Sequence, residues 1–249
     1  MQAISQAVLY FCPMALPFFY SSEIVAGQTS VVLDEDTSRH IVQVLRMKMG
    51  ERINLTDGKG NVFTCEITDE HKKHCVVSIK DTRHKEQGTR KVSIAISLLK
   101  NSNRFEWFLE KATEIGVSEI IPLICERTEK EKFRHDRMNA ICISAMLQSQ
   151  QCWLPVLHEP VQFADLVMRR FDDESKFIAH CTDADKQHLN NLQTGTSSNC
   201  LIVIGPEGDF TPQEIELALK NDFIPVSLGE TRLRTETAGV VVAAILCNK

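Results

Sequence analysis

Two segments of the chain carry residue types whose spacing suits chemistry. In the first, the apolar run Leu201-Ile202-Val203-Ile204 leads into Gly205-Pro206-Glu207-Gly208-Asp209-Phe210. Thr211, Pro212 and Glu214 then follow with the spacing of N-cap, N1 and N3 in a capping box. Glycines at both ends of such a loop let backbone approach a ligand closely, at the carboxyl end of a strand where open α/β sheets bind ligands. The same spacing also suits an ordinary strand-to-helix turn. The second segment is Leu228-Gly229-Glu230-Thr231-Arg232-Leu233-Arg234-Thr235-Glu236-Thr237-Ala238-Gly239. It too leaves an apolar run through a glycine, and it places two arginines before a helix, Gly239 to Leu246, that is apolar nearly all round and therefore buried. Arginine is a permanent cation that suits carboxylates, phosphates or a developing oxyanion. On spacing alone, Arg232 and Arg234 equally suit pairing with acids on a solvated loop. Two such loops after two strands of one sheet converge on a single crevice.

Other chemistries lack their signatures. No Gly-x-Gly-x-x-Gly follows a strand, and there is neither a P-loop nor a Gly-x-Ser-x-Gly elbow. The nine cysteines contain no Cys-x-x-Cys, so no zinc site is expected, and His71-Lys72-Lys73-His74 reads as a solvated hairpin end rather than a metal site. Buried reduced thiols fit a cytoplasmic protein. The net charge of −5 is not the basic footprint of a chain that holds nucleic acid by bulk electrostatics. Residues 1–88 carry 10 Lys+Arg against 11 Asp+Glu and the remainder 18 against 22, so neither part is basic. RNA binding would need local runs such as Lys72 and Lys73, Lys80 to Lys91, or Arg127 to Arg137. No stretch reaches the roughly 18 apolar residues of a membrane span.

The elements that position these loops follow from periodicity. Before residue 88 the pattern is short and strand-like. Arg52 to Leu55 and Val62 to Ile67 flank Asp57-Gly58-Lys59-Gly60 as a hairpin, and Cys75 to Ile79 gives a third strand. Ser38 to Met47 has helical spacing, with Thr37 or Ser38 as cap. A small β-barrel with one short helix results, and Asp81 to Arg90 reads as a linker. Beyond it, strands at Val92–Leu99, Ile120–Ile124, Phe177–Cys181, Leu201–Ile204 and Ile224–Leu228 alternate with helices at Arg104–Ile115, Arg137–Gln150, Thr211–Lys220 and Glu236–Cys247. That rhythm implies a mostly parallel sheet covered on both faces. Ala7 to Tyr20 is apolar apart from Pro13 and Pro17, yet the first positive side chain is Arg39, so a signal peptide lacks its basic segment. Met14 offers a second start. We expect residues 1–13 to be a dispensable leader, 14–88 the barrel domain and 89–249 the α/β domain.

At these residues the chain resembles the RsmE family of ribosomal RNA uracil-N3 methyltransferases in the SPOUT superfamily. The resemblance rests on Ile204-Gly205-Pro206-Glu207-Gly208, Leu228-Gly229 and Leu233-Arg234-Thr235-Glu236-Thr237-Ala238. It extends to Arg39-His40-Ile41, Val44-Leu45-Arg46, Asp57-Gly58-Lys59-Gly60 and Lys111-Ala112-Thr113-Glu114-Ile115-Gly116-Val117. It covers nearly the whole chain from about Phe18. The resemblance implies an α/β fold: a PUA-like β-barrel followed by a trefoil-knotted SPOUT methyltransferase domain, acting as a homodimer with sites near the subunit interface. It also implies S-adenosyl-L-methionine as methyl donor, held by Gly205, Pro206, Glu207, Gly208, Leu228, Gly229, Leu233, Arg234, Thr235, Glu236 and Thr237. Small-subunit ribosomal RNA would be the substrate. Arg39, Arg46, Lys111 and Arg127 are the expected RNA contacts. For catalysis, Arg234 is the candidate to stabilise a uracil anion, with Glu236 as orienter or proton acceptor. Two positions depart from the family pattern: Thr231 and Gln151 stand where many members have arginine. Rival readings are a knotted methyltransferase of another RNA such as tRNA, and a non-catalytic ribosome-assembly factor.

Overall fold

Residues 16–25, 27–88, 90–169, 174–182, 186–191 and 199–248 are described by the computed structural model. The chain forms two compact units that part between Lys85 and Glu86. The proposed leader, residues 1–13, lies outside the described residues.

The first unit holds β1 (Phe18–Tyr20), β2 (Ser30–Val32), α1 (Glu35–Arg39), β3 (Arg52–Thr56), β4 (Asn61–Asp69) and β5 (Val76–His84). The strands lie in the order β1-β3-β4-β5-β2, with β1 parallel to β3 and the other pairs antiparallel. The expected hairpin forms between β3 and β4. Asp57 fixes its turn by accepting from Lys59 N (2.8 Å), Asn61 N (3.2 Å) and Asn61 Nδ2 (2.6 Å). Alternation along β4 buries Phe63, Cys65 and Ile67, which pack with Ile41, Ile53, Leu55 and Val77.

Three expectations for this unit need correction. The helix is capped by Asp34, which accepts from Thr37 N at 2.9 Å, not by Thr37 or Ser38. Ser38 is instead buried, donating to Leu33 O (3.1 Å) and accepting from Cys75 N (2.9 Å). The expected helix to Met47 becomes a π-helical turn over His40–Val44 and stops at Leu45, beyond which Arg46 takes a left-handed φ of 56°. Finally, β5 continues to His84 because Thr82 and Arg83 pair with Phe63 and Val62, so the first part of the expected linker is strand.

The second unit alternates strands and helices: β6 (Val92–Ser97), α2 (Ser102–Ile115), β7 (Glu119–Ile124), α3 (His135–Gln148), β8 (Val156–Leu157), β9 (Val161–Gln162), α4 (Phe163–Val167), β10 (Glu174–Ala179), β11 (Gln187–His188), β12 (Asn199–Ile204), α5 (Pro212–Lys220), β13 (Ile224–Ser227) and α6 (Thr235–Cys247). The sheet runs β11-β13-β10-β12-β6-β7-β8, with β9 also on β7, and every pair is parallel. Period-2 alternation splits its side chains between two cores. Ile94, Ile96, Ile202 and Ile204 pack with Phe105, Phe108 and Leu109 of α2 and Val242 and Leu246 of α6. Ala95, Leu201 and Val203 meet Phe163, Leu166 and Ala218 of α4 and α5 on the other face. Each fully buried Leu, Ile or Phe contributes about 1.5–3 kcal/mol.

Two contacts set where the helices lie. Gly116 ends α2 at φ 98°, and Gln151 Nε2 donates to the last carbonyls of that helix, Thr113 O (3.0 Å) and Glu114 O (2.7 Å). Gln151 thus serves the helix end, where Thr113 O also accepts from Gly116 N (3.1 Å). Within α6, a Cβ on Gly239 would sit 2.5 Å from Phe108 Cε2, so glycine there lets α6 lie directly on α2.

Candidate functional site

Parallel pairing brings three strand ends to one level. Ala179 of β10 is in register with Ile204 of β12 and Val226 of β13, so the chain leaves the sheet at His180, at Gly205 and, one residue further along, at Leu228. These exits frame a cavity of about 680 Å³, within the range of small-molecule sites.

Of the residues expected at a donor pocket, Gly205, Pro206, Glu207, Leu228, Gly229, Leu233, Arg234 and Thr235 line this cavity. Gly208, Glu236 and Thr237 do not line it. The loop after β12 folds back on itself: a Cβ on Gly205 would lie 3.1 Å from both Phe210 N and Phe210 Cδ2. Phe210 is buried against Phe163, ring centroids 4.9 Å apart, so it cannot yield. The expected capping box is present, with Thr211 N donating to Glu214 Oε2 (2.8 Å) and Glu214 N to Thr211 Oγ1 (3.3 Å). Thr235 Oγ1 donates to Gly205 O at 3.0 Å, joining the two glycine loops. Gly229 adopts φ 147°, a backbone state L side chains rarely take, and nothing lies within 4 Å of where its Cβ would be.

The charges at the cavity mouth are informative. Arg234 is the N-cap of α6 and makes no side-chain capping bond. The N-terminus of a helix is its positive end, where a cation is disfavoured and an anion favoured. Arg232 and Arg234 are both exposed, border the cavity, and form no ion pair among the described residues. The pairing with neighbouring acids that spacing left open is therefore not made. Such a place suits a carboxylate, a phosphate or a developing anion.

Glu236 lies one step round the helix and faces α2. It is 6% exposed, its Oε1 is 3.7 Å from Arg104 Nε, and its Oε2 is buried without a hydrogen-bond partner. It ties the first turn of α6 to α2 rather than reaching into the cavity.

A third wall was missed by sequence reasoning. His180, Lys186 and Asp209 also line the cavity. Lys186 Nζ donates to His180 O (2.7 Å) and Thr182 O (2.8 Å), and Cys181 N donates to Asp209 Oδ2 (2.9 Å). His180 is buried, and its Nδ1 has no partner. Burial first, then the Lys186 charge, hold its imidazole below the ordinary range, with Asp209 opposing. The strand at Phe177–Cys181 was legible, but its place between β12 and β13 was not.

The expected RNA contacts are placed differently from one another. Arg39 is paired with Glu35 (2.7 Å) and Asp36 (3.3 Å). Lys111 is held by Glu110 (2.7 Å) and Glu114 (3.0 Å), which raise its pKa. Arg127 Nη1 donates to Gly208 O at 2.7 Å. Arg46 is exposed and makes no ion pair among the described residues. His71 and His74 stack at 3.7 Å in an exposed turn, and no cluster of metal-ligating residues exists among the described residues.

Comparison with known proteins gives this geometry a context. The pattern of an RNA methyltransferase domain matches residues 85–247, and that of an RNA methyltransferase PUA domain matches residues 33–80. Ribosomal RNA small subunit methyltransferase E of Bacillus subtilis is 31% identical over 212 residues, covering 80% of this chain and 82% of the relative. The protein of that name from Aquifex aeolicus is 27% identical, covering 92% and 98%. Among solved structures, a probable rRNA methyltransferase from Porphyromonas gingivalis is 37% identical with a TM-score of 0.85, covering 94% of this chain and all of that one. Ribosomal RNA small subunit methyltransferase E from Neisseria gonorrhoeae, bound to S-adenosyl methionine, is 29% identical with a TM-score of 0.83, covering 92% and 95%.

Proposed function

Because this chain belongs to the RNA methyltransferase family that includes ribosomal RNA small subunit methyltransferase E, we propose that it methylates N3 of a uridine in small-subunit ribosomal RNA with S-adenosylmethionine as donor. The observation that carries the reading is the cavity between two glycine loops with unpaired arginines at the positive end of α6.

The residues present fit that donor. A cavity of about 680 Å³ accepts a ligand of this size. Backbone of Gly205 to Glu207 and of Leu228 and Gly229 would hold the adenosine part, Arg232 the amino-acid carboxylate, and Glu207 or Glu230 the ammonium. When bound, the donor supplies an electrophilic methyl group whose sulfonium leaves as a neutral thioether. The protein's part is chiefly to position the reactants, because in-line displacement depends on their alignment.

Uracil N3 carries a proton that passes to solvent water as the nitrogen attacks, and negative charge spreads onto the flanking carbonyls. Arg234 is the group that stabilises this charge, since a guanidinium donates two hydrogen bonds without titrating. Glu236 acts as orienter, holding the first turn of α6 against Arg104, so that Arg234 and Thr235 stay at the cavity. Arg46, exposed on its left-handed turn, is the contact of the first unit for RNA phosphate.

The same reading includes a trefoil knot at the strand ends, a homodimer, and action in the cytoplasm on the small subunit; the family relationship supports each of these. Calorimetric titration with S-adenosylmethionine tests the donor half of the proposal. Saturable one-site binding is expected, and no binding at all would remove it.

A further inference from the structure

The loop from Gly205 to Asp209 is tied by a different element at almost every residue. Thr235 Oγ1 donates to Gly205 O (3.0 Å), Lys100 N to Glu207 Oε1 (3.2 Å), Arg127 Nη1 to Gly208 O (2.7 Å) and Cys181 N to Asp209 Oδ2 (2.9 Å). The shortest tie, at 2.7 Å, is made by the exposed side chain of Arg127.

Gly208 explains why that side chain is there. Its φ is not positive, so its backbone does not need glycine. Nor does it line the cavity. What glycine permits is close approach: a Cβ would lie 3.3 Å from Arg127 Cδ and 3.6 Å from Arg127 Cβ. The arginine stem lies flat on Gly208 before its guanidinium turns to the carbonyl.

Arg127 is itself firmly held. It sits in the turn after β7, where Thr128 Oγ1 accepts from Cys125 N (2.8 Å) and contacts Ser97 Oγ (3.0 Å). Next to it, Glu126 N donates to Glu214 Oε1 (2.9 Å), the carboxylate of the capping box. A fixed turn therefore carries a strut that ends on the loop.

We propose that Arg127 is a positioning residue of the donor site: it sets the Gly205–Asp209 loop through the Gly208 carbonyl, and it is not a phosphate contact. The inference rests on the donor-site reading above. It gives Arg127 a role different from the RNA contact expected from sequence.

The two roles separate cleanly in the full chain. Wild type, Arg127→Ala, Arg127→Lys and Gly208→Ala are titrated with S-adenosylmethionine without RNA, and melting temperatures are recorded for each. Arg127→Ala is expected to weaken donor binding roughly tenfold, the effect of losing one charge-assisted hydrogen bond, with the melting temperature unchanged. Lysine restores part of the affinity because an ammonium still donates to a carbonyl. Arg127→Ala combined with Gly208→Ala binds no more weakly than Arg127→Ala alone, since both act on one contact. In turnover, KM for the donor rises while kcat stays within about twofold, and the dependence of RNA affinity on salt keeps its slope. Donor affinity unchanged in Arg127→Ala, with RNA affinity reduced and the salt slope lowered by about one, would overturn the inference and make Arg127 a phosphate contact. A wild-type chain that binds no donor would overturn the site reading itself.

Discussion

Replacing Gly239 by alanine sets two effects of opposite sign against each other. Alanine is the better helix former, and in the interior of α6 the exchange alone should stabilise by about 1 kcal/mol. The structure predicts the reverse. The new Cβ would lie 2.5 Å and 2.6 Å from Phe108 Cε2 and Cδ2 and 3.0 Å from Ile96 Cδ1. Normal carbon contacts lie near 3.5–4.0 Å, so something must move by about 1 Å. Phe108 and Ile96 are both fully buried, and Phe105 packs beside Phe108 at 6.0 Å, so the ring has nowhere to swing. Overpacking of this kind costs about 1–3 kcal/mol, and this geometry belongs at the upper end. The net loss is about 1–2 kcal/mol, which lowers the melting temperature by about 2–8 °C. Calorimetric melting of Gly239→Ala measures it, with Gly88→Ala as control because nothing lies within 4 Å of that position. Donor binding should weaken as well, since α6 carries Arg234 and Thr235 to the cavity. A melting temperature that rises would refute the claim that α6 is seated directly on α2.

Three further outcomes follow from the same geometry. Arg234→Ala should slow methyl transfer by about 10²–10³-fold, with Arg234→Lys recovering part; single-turnover rates on the preformed complex measure this, and an unchanged rate would remove Arg234 from the chemistry. His180 has a folded pKa below its ordinary 6.5, so falling pH protonates the unfolded chain preferentially; its stabilising contribution is whole above 6.5 and lost as pH falls toward the folded value. Denaturant titrations from about pH 7 to pH 5 should therefore show His180→Asn losing less stability than wild type, and equal losses would contradict the assignment. Burial pushes the Cys125 and Cys247 thiols up to about 12 and those of Cys65 and Cys142 up to about 11, whereas Cys181 is exposed. Brief alkylation of the native chain should label Cys181 before these four, as read by peptide mass spectrometry; labelling Cys125 as fast would mean that the interior opens readily.

Local signals made much of the fold legible. The apolar runs of β6, β7, β12 and β13, the glycine that ends α2 and the capping box at Thr211 all depend on neighbours within a few residues, and the chain shows them directly. The hairpin turn at Asp57 is of the same kind. The helix start at Asp34 was missed because apolar periodicity begins only at Ile41, two turns after the cap. The carboxylates that neutralise Lys111 stand one and three residues away, so its pairing was readable in principle.

The site was half legible. Both glycine loops stand out in sequence, but the third wall depends on β10 lying between β12 and β13, a pairing between distant segments that no local pattern encodes. Glu236 is adjacent to the cavity residues in sequence, yet a turn of about 100° per residue sends it to Arg104 of α2. Gly208 resembles Gly205 in sequence, yet one serves a fold-back of the loop and the other the approach of Arg127. The residue pairs that distinguish these roles, Gly208 with Arg127 and Glu236 with Arg104, are long-range.

Methyl transfer from labelled S-adenosylmethionine to small ribosomal subunits lacking the modification, followed by nucleoside mass spectrometry, tests the central claim most directly. The account predicts 3-methyluridine in wild-type reactions and little in Arg234→Ala. Donor binding without transfer to subunits or free ribosomal RNA would contradict the assigned substrate and point to another RNA, and methylation at any other atom of the base would contradict the assigned chemistry.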